Sequence, residues 1–144
     1  MRHPRLAVAS ALAFVAIIAG GCAMSGEMSP GAGVKLTGAQ EVPPVTTMAA
    51  GTGAIVVGAD KSVSGSVTTT GIAGTAAHIH QGATGANGGV VVPLTKTGDT
   101  TWSVPAGAKL TDEQYSAYQA GNMYVNVHSA ANPSGEIRGQ LSGK

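Results

Sequence analysis

The sequence has little of what marks several common protein classes. It has one cysteine, one tryptophan, one phenylalanine and three tyrosines among 144 residues, and only 10% of its residues are charged. A single cysteine excludes a framework of intrachain disulfides. Because there is no run of basic residues, the electrostatic footprint of a nucleic-acid-binding protein is missing, and we expect no nucleic-acid partner. A domain of this composition depends on apolar burial and backbone hydrogen bonds.

The longest apolar run lies close to the N-terminus. Arg2 and Arg5 precede an apolar stretch at residues 6–18, and small residues then lead to Cys22. The stretch is too short to span a bilayer and has the layout of a signal peptide, which we place at residues 1–21. Small residues directly before a lone cysteine resemble the lipobox of bacterial lipoproteins, which predicts a lipid anchor on Cys22. The alternative is ordinary signal cleavage, with Cys22 as an incidental thiol.

The chain after the signal peptide divides into a linker and one domain. Residues 22–33 are small, polar or turn-forming and are typical of a flexible tether. Residues 34–144 suffice for one compact domain with a modest core. We expect export across the cytoplasmic membrane and attachment to a membrane through Cys22. Ala23 follows the cysteine where an Asp would resemble an inner-membrane retention signal, so we expect an outer-membrane location, facing the periplasm or the cell surface.

The domain's composition favours strands over helices. It is rich in glycine, its apolar positions are largely Val, and Thr is frequent. Val and Thr favour strands, and glycine favours the tight turns between them. We predict an all-β fold, an antiparallel Greek-key-like sandwich or barrel of about seven or eight short strands with one short helix. The strands are expected at residues 34–38, 52–57, 62–69, 76–81, 90–94, 101–104, 123–128 and 136–141. The helix is expected at residues 110–121, with Thr111 as N-cap, Gln114 in a capping box and Gly121 just past its end.

Three of the four histidines lie inside the domain, in two of the predicted strands. Side chains alternate along a strand, so His78 and His80 share a face, and so do Asn126 and His128. Imidazoles brought together from neighbouring strands suit a transition metal, and we expect copper before zinc. Asn126, on the same face, would orient a ring or hold a water. The sequence therefore predicts a metal site at His78, His80 and His128.

An alternative interpretation gives the histidines a packing role. His78 and His80 would then hydrogen-bond the loop at residues 132–135, and His128 would be a partly buried core residue. Glu136 and Arg138, two positions apart, would fix the loop at residues 129–135 against the last strand.

Catalytic motifs are scarce. The glycine-rich segment at residues 82–89 lacks the lysine and the following helix of a P-loop, so we interpret it as a flexible connection beside His80 that covers the site. No serine lies in a nucleophile elbow. The sequence thus gives no support for nucleophilic catalysis. An enzyme ranks third among the hypotheses and would need an open coordination position beside Arg138.

Three stretches resemble the CHRD domain, a module named after chordin and common in bacterial secreted proteins. They are residues 36–45, 76–80 and 124–141. The resemblance implies an all-β extracytoplasmic domain, but the family has no settled biochemical activity. Our leading hypothesis is a lipid-anchored binding module, with copper or zinc on its histidines. The rival hypothesis is a structural or adhesive module that binds protein or glycan without a metal. Neither hypothesis names a protein partner.

The histidine motifs are also similar to those of copper–zinc superoxide dismutase. In that family a His-x-His pair and a distant histidine ligate copper, and an arginine near the C-terminus attracts the anionic substrate. The similarity implies His78, His80 and His128 as ligands, with Arg138 as the neighbouring cation. The chain departs from that family because it has no bridging histidine, no histidine-rich zinc loop and no intrachain disulfide. We therefore do not predict dismutase activity.

Overall fold

A computed structural model describes residues 33–143 of the chain. The predicted signal peptide and the proposed anchor at Cys22 lie outside the described residues. The described part contains nine strands: β1 Gly33–Thr37, β2 Ala50–Val57, β3 Val63–Thr70, β4 Gly74–Gln81, β5 Val90–Pro93, β6 Thr95–Lys96, β7 Thr101–Ser103, β8 Met123–Ser129 and β9 Ile137–Leu141. The two-residue β6 was not predicted, and β9 begins one residue later than expected.

All strands belong to one sheet, in which every neighbouring pair is antiparallel. The strand order is β5-β4-β8-β9-β1-β2-β3-β7-β6. The two edge strands, β5 and β6, follow one another in the chain with only Leu94 between them. The Leu94 N–H donates to the carbonyl of Ala77 on β4 at 2.9 Å. The sheet therefore rolls into a nearly closed barrel, which confirms the predicted all-β class and hides most of the sheet edge.

Alternation along the strands builds the core inside the barrel. The most deeply buried apolar side chains include Leu36, Val67, Ile79, Val125, Val127 and Ile137. The chain's one tryptophan, Trp102 on β7, is also buried there. Since neighbours along each strand point outward, the inward position of Ile79 and Val125 places His78, His80 and Asn126 on the outer face.

The predicted helix is confirmed as α1, Asp112–Gln119. Thr111 accepts from the Gln114 N–H, and the Gln114 side chain accepts from the Thr111 N–H, which completes the capping box. Tyr115 and Tyr118 are partly buried against the core, so hydrophobic packing holds this short helix. Within residues 33–143 no helix has the length and apolar character needed to cross a membrane.

Strand β8, like β9, has both of its faces covered. Six of its seven residues are buried, including Tyr124 and Asn126 on the outer face. The segment after β1 and the glycine-rich segment at residues 82–89, called here the glycine loop, lie over this outer face. The candidate site lies between the sheet and the glycine loop.

Candidate functional site

The register between β4 and β8 places the three histidines on one patch of the outer face. His78 lies opposite Asn126, His80 opposite Tyr124 and Ala76 opposite His128. Directly opposed residues of an antiparallel pair point to the same side of the sheet. The structure therefore brings His78, His80 and His128 together.

The imidazoles are close enough to share one ion. One ring nitrogen from each histidine lies within 4.8 Å of the other two. His78 Nδ1 and His128 Nε2 are 2.9 Å apart. Two nitrogens bound to one metal at about 2.0–2.1 Å are about 2.9–3.4 Å apart for ligand angles of about 90–110°. The spacing of this pair thus matches two ligands of a single metal ion.

Backbone carbonyls fix the orientation of two of the rings. The His80 Nδ1–H donates to the Gly88 carbonyl at 2.9 Å, and the His128 Nδ1–H donates to the Pro133 carbonyl at 2.9 Å. A carbonyl can only accept, so in each neutral ring the proton is on Nδ1 and the lone pair is on Nε2. The Nε2 lone pair of His128 faces His78 Nδ1 at 2.9 Å. Such outer-sphere bonds are typical of metal-ligating histidines.

The Nε2 atom of His80 is buried without a hydrogen bond to any of the described residues. His80 is 8% exposed, and among the described residues its buried Nε2 has no hydrogen-bond partner. A buried polar atom without a partner costs about 1–3 kcal/mol. A bound metal ion would remove that cost, so this atom fits a ligand role.

The histidine-packing alternative is wrong in its details. It is His128, rather than His78 or His80, that bonds the loop at residues 132–135, through Pro133. His80 bonds the glycine loop and His78 bonds His128. His128 is partly exposed on the outer face and is not a core residue.

Burial favours the neutral form of two of the rings. Desolvation lowers the pKa of His78 and of His80 below the usual value, and the neighbouring His128 lowers both further. The Gly88 carbonyl and, to a smaller extent, the Asn126 side chain raise the pKa of His80 and so oppose this effect. A metal must compete with protons for imidazole nitrogen, so lowered pKa values favour metal binding at mildly acidic pH.

Beside the histidines lies a buried group of polar side chains, which we call the outer polar cluster: Glu41, Tyr124, Asn126 and Arg138. Arg138 is 1% exposed, and its guanidinium carbon lies 3.4 Å from the centre of the Tyr124 ring. Tyr124 in turn stacks on His80 with a centroid distance of 4.9 Å. The cluster therefore supports His80 from one side and extends from it across β8 to β9.

Arg138 and its neighbours hold the glycine loop in place. Arg138 donates to the Ala83 carbonyl at 3.0 Å, and Gln140 donates to the Gly82 carbonyl at 2.8 Å. The Asn87 side chain donates to the Val42 carbonyl at 2.8 Å. The loop does lie beside His80, as predicted, but these bonds tie it down, in contrast to the flexible connection that its glycines suggested.

The expected partnership of Glu136 and Arg138 divides into two separate roles. Glu136 accepts from Thr47 and Ser129, and the Ser129 hydroxyl lowers the pKa of Glu136. Glu136 thus fixes the loop at residues 129–135 as predicted. Arg138 fixes the glycine loop instead, and the described residues contain no ion pair between the two side chains.

Glu41 is the member of the site that sequence reasoning missed. It is 5% exposed, and burial raises its pKa although the charge of Arg138 lowers it. Its Oε1 atom has no hydrogen-bond partner among the described residues. A carboxylate that follows a short strand normally faces water, so its burial was not expected. The sequence signal that could have found it is its place in the Gln-Glu-Val-Pro-Pro motif at residues 40–44.

Comparison with known proteins identifies the family. The model of the CHRD domain matches residues 32–141, nearly the whole described part. The chain therefore belongs to the CHRD-domain family, as its motifs indicated. A search of curated proteins and a search of solved structures each found no match.

Proposed function

We propose that this protein is a lipid-anchored extracytoplasmic CHRD module that binds one copper ion through His78, His80 and His128. The observation that carries the proposal is the buried Nε2 of His80, which has no hydrogen-bond partner within residues 33–143 while a carbonyl holds the proton on Nδ1. Two further imidazole nitrogens lie within 4.8 Å of the His80 ligand atom. Bound copper would serve metal handling or redox protection outside the cytoplasm.

The donor set favours copper over zinc. Neutral imidazoles suit copper, zinc and nickel, and the affinity of such sites for divalent ions peaks at Cu²⁺. Zinc prefers four ligands or an added water. The histidine group of the described residues includes no carboxylate or thiolate. Asn126, whose buried Oδ1 also has no hydrogen-bond partner in the described part of the chain, would orient a ring or a bound water.

The site is tested by titrating the metal-free protein, produced from its full sequence, with Cu²⁺. We expect one equivalent to bind, with nitrogen hyperfine structure in the EPR spectrum. His80→Ala should weaken binding by at least about tenfold. Gln81→Ala, at the next position of β4, is the matched control and should bind like the unchanged protein. Unchanged affinity and spectrum in His80→Ala would contradict the ligand assignment.

A structural or adhesive module remains the second candidate because one observation favours it. The bond between His78 and His128, with the two carbonyl bonds, satisfies most of the ring nitrogens without a metal. This candidate predicts that replacing all three histidines lowers the free energy of unfolding. It also predicts that Cu²⁺ does not change the melting temperature of the unchanged protein.

The lipid anchor is a separate part of the proposal, supported by the pattern before Cys22. Metabolic labelling with a fatty acid should mark the protein, and Cys22→Ala should lose the label and leave the membrane fraction. Cell fractionation then tests the outer-membrane location. A Cys22→Ala protein that stays membrane-bound and labelled would contradict the assignment.

A further inference from the structure

Tyr124 connects the glycine loop to one of the proposed metal ligands. It lies directly opposite His80 in the pairing of β8 with β4, and its ring is parallel to the His80 ring within 3°. The Tyr124 hydroxyl accepts from the Gly88 N–H at 3.2 Å, and the Gly88 carbonyl accepts from the His80 Nδ1–H at 2.9 Å. One cross-strand pair of side chains therefore holds both backbone polar groups of Gly88.

The surroundings of Tyr124 leave its buried ring little freedom to move. His80 comes from β4 and Arg138 from β9, the two strands that flank β8. The Arg138 guanidinium carbon lies 3.4 Å from the ring centre. A Cβ on Gly82 would lie 2.9 Å from Cε1 of the ring, so the glycine loop packs closely against the ring edge. This packing determines where the hydroxyl lies.

The position of Gly88 matters because its carbonyl selects the tautomer of His80. A neutral imidazole has one N–H and one lone pair, and its two tautomers differ in which nitrogen carries which. The Gly88 carbonyl requires the N–H on Nδ1, which leaves the lone pair on Nε2. The other tautomer would put the lone pair on Nδ1, the nitrogen that faces the glycine loop. A displaced Gly88 would therefore make His80 a poorer metal ligand.

We propose that Tyr124 is a positioning residue of the metal site and that its hydroxyl acts through Gly88. The hydroxyl fixes Gly88, the Gly88 carbonyl fixes the Nδ1 proton, and Nε2 of His80 is thereby available to the metal. The role of Tyr124 rests on the proposed function, because the ligand that it positions is His80. If Tyr124 served only for packing, its ring would be sufficient and its hydroxyl would be dispensable.

The test replaces Tyr124 with Phe, which keeps a ring beside His80 and deletes the hydroxyl. Nitrogen-15 NMR of the metal-free protein, produced from its full sequence, reports which His80 nitrogen bears the proton. The unchanged protein should have it on Nδ1, and Tyr124→Phe should show both tautomers. Tyr115→Phe, at a partly buried tyrosine of α1, is the matched control and should keep the proton on Nδ1.

Copper titration measures the consequence for the metal. Tyr124→Phe should weaken Cu²⁺ binding by about tenfold, the lower end of the loss for groups that orient a metal ligand. It should also add a second set of signals to the EPR spectrum. In a His80→Ala background, Tyr124→Phe should have no further effect on copper affinity, because the ligand that it positions is gone. A purely structural effect of the hydroxyl would be the same in both backgrounds.

Two results would overturn the assignment of Tyr124. One is a single Nδ1 tautomer of His80 in Tyr124→Phe, and the other is an equal loss of copper affinity with and without His80. If the unchanged protein binds no copper, the proposed function fails and the tautomer measurement alone decides. Both tautomers in Tyr124→Phe would then still support its action on His80, so the two failures can be told apart.

Discussion

Two parts of the outer surface start from the same strand geometry and end with different environments. On β2 and β3 the outward positions carry Thr52, Thr68 and Thr70, which are exposed. On β8 and β9 they carry Tyr124, Asn126 and Arg138, which are buried. The difference arises because the glycine loop covers β8 and β9. Arg138 and Gln140 have side chains long enough to donate hydrogen bonds to carbonyls of that loop.

The comparison shows that outward polar residues on a strand need not face solvent. Strand β3 alternates buried and exposed positions along most of its length, whereas β8 is buried almost throughout. The domain therefore has an apolar core inside the barrel and the outer polar cluster outside it. Substitutions on the covered surface should affect stability and the site together, and equivalent substitutions on the exposed surface should affect neither.

The largest effect is expected at Arg138. Arg138→Leu removes the bonds to Ala83 and Gln140 and leaves the Glu41 carboxylate without a nearby cation. Breaking a buried charge arrangement of this kind costs about 3–5 kcal/mol in the free energy of unfolding, measured by urea denaturation. Lys35→Leu, on the exposed part of β1, should change it by less than about 0.5 kcal/mol. Similar losses of unfolding free energy in both variants would mean that the covered surface contributes no more to stability than the exposed surface does.

A smaller effect is expected from adjacent glycines of the loop. A Cβ on Gly88 would lie 1.6 Å from the Gln81 carbonyl oxygen, while a Cβ on Gly89 meets nothing within 4 Å. Gly88→Ala should therefore lower the free energy of unfolding by roughly 2 kcal/mol. It should also weaken copper binding by about 10–100-fold through the Gly88 bond to His80. Calorimetry should give a near-normal free energy of unfolding and a near-normal copper affinity for Gly89→Ala. Equal stability and equal copper affinity in the two variants would refute the role of Gly88.

Acid should destabilise the metal-free protein through its histidines. Folding lowers the pKa values of His78 and His80. At a pH between the pKa of the folded state and that of the unfolded state, the unfolded chain therefore binds more protons than the folded protein does. Their contribution to stability is present above about pH 6.5 and is lost as the pH falls through the lowered values. Glu41, with a raised pKa, has the opposite sign, so its contribution falls as the pH rises.

Urea midpoints between about pH 7.5 and about pH 5 measure this dependence, in a Glu41→Gln background that removes the opposing carboxylate. His80→Gln should flatten the curve in the same background. An unchanged slope would show that His80 is not kept neutral by folding.

The smallest effect is expected on the exposed surface. Thr68→Ala removes a hydroxyl from the middle of β3, where the side chain faces solvent. The free energy of unfolding should change by less than about 0.5 kcal/mol, and copper affinity should stay the same. A clear loss of copper affinity would show that the two surfaces are coupled through the sheet.

Local sequence patterns predicted much of this fold. Alternation predicted the faces of His78, His80 and His128, and the capping residues Thr111 and Gln114 predicted the helix. The barrel closure at Leu94 escaped prediction because one continuous segment pairs with β4 through β5 and with β7 through β6, and such long-range pairing leaves no local pattern.

The environment of Glu41 and Arg138 also escaped prediction. Their burial comes from loops that fold back over the sheet, and no local periodicity records that. The ring orientations depend on Gly88 and Pro133 carbonyls, and a backbone carbonyl leaves no trace in the choice of residue.

The most direct test of the central claim is anomalous diffraction at the copper edge from crystals of the copper-loaded protein. The account predicts one strong peak within about 2.0–2.2 Å of a ring nitrogen of His78, His80 and His128. No peak at the histidines, or a peak held by other residues, would contradict it.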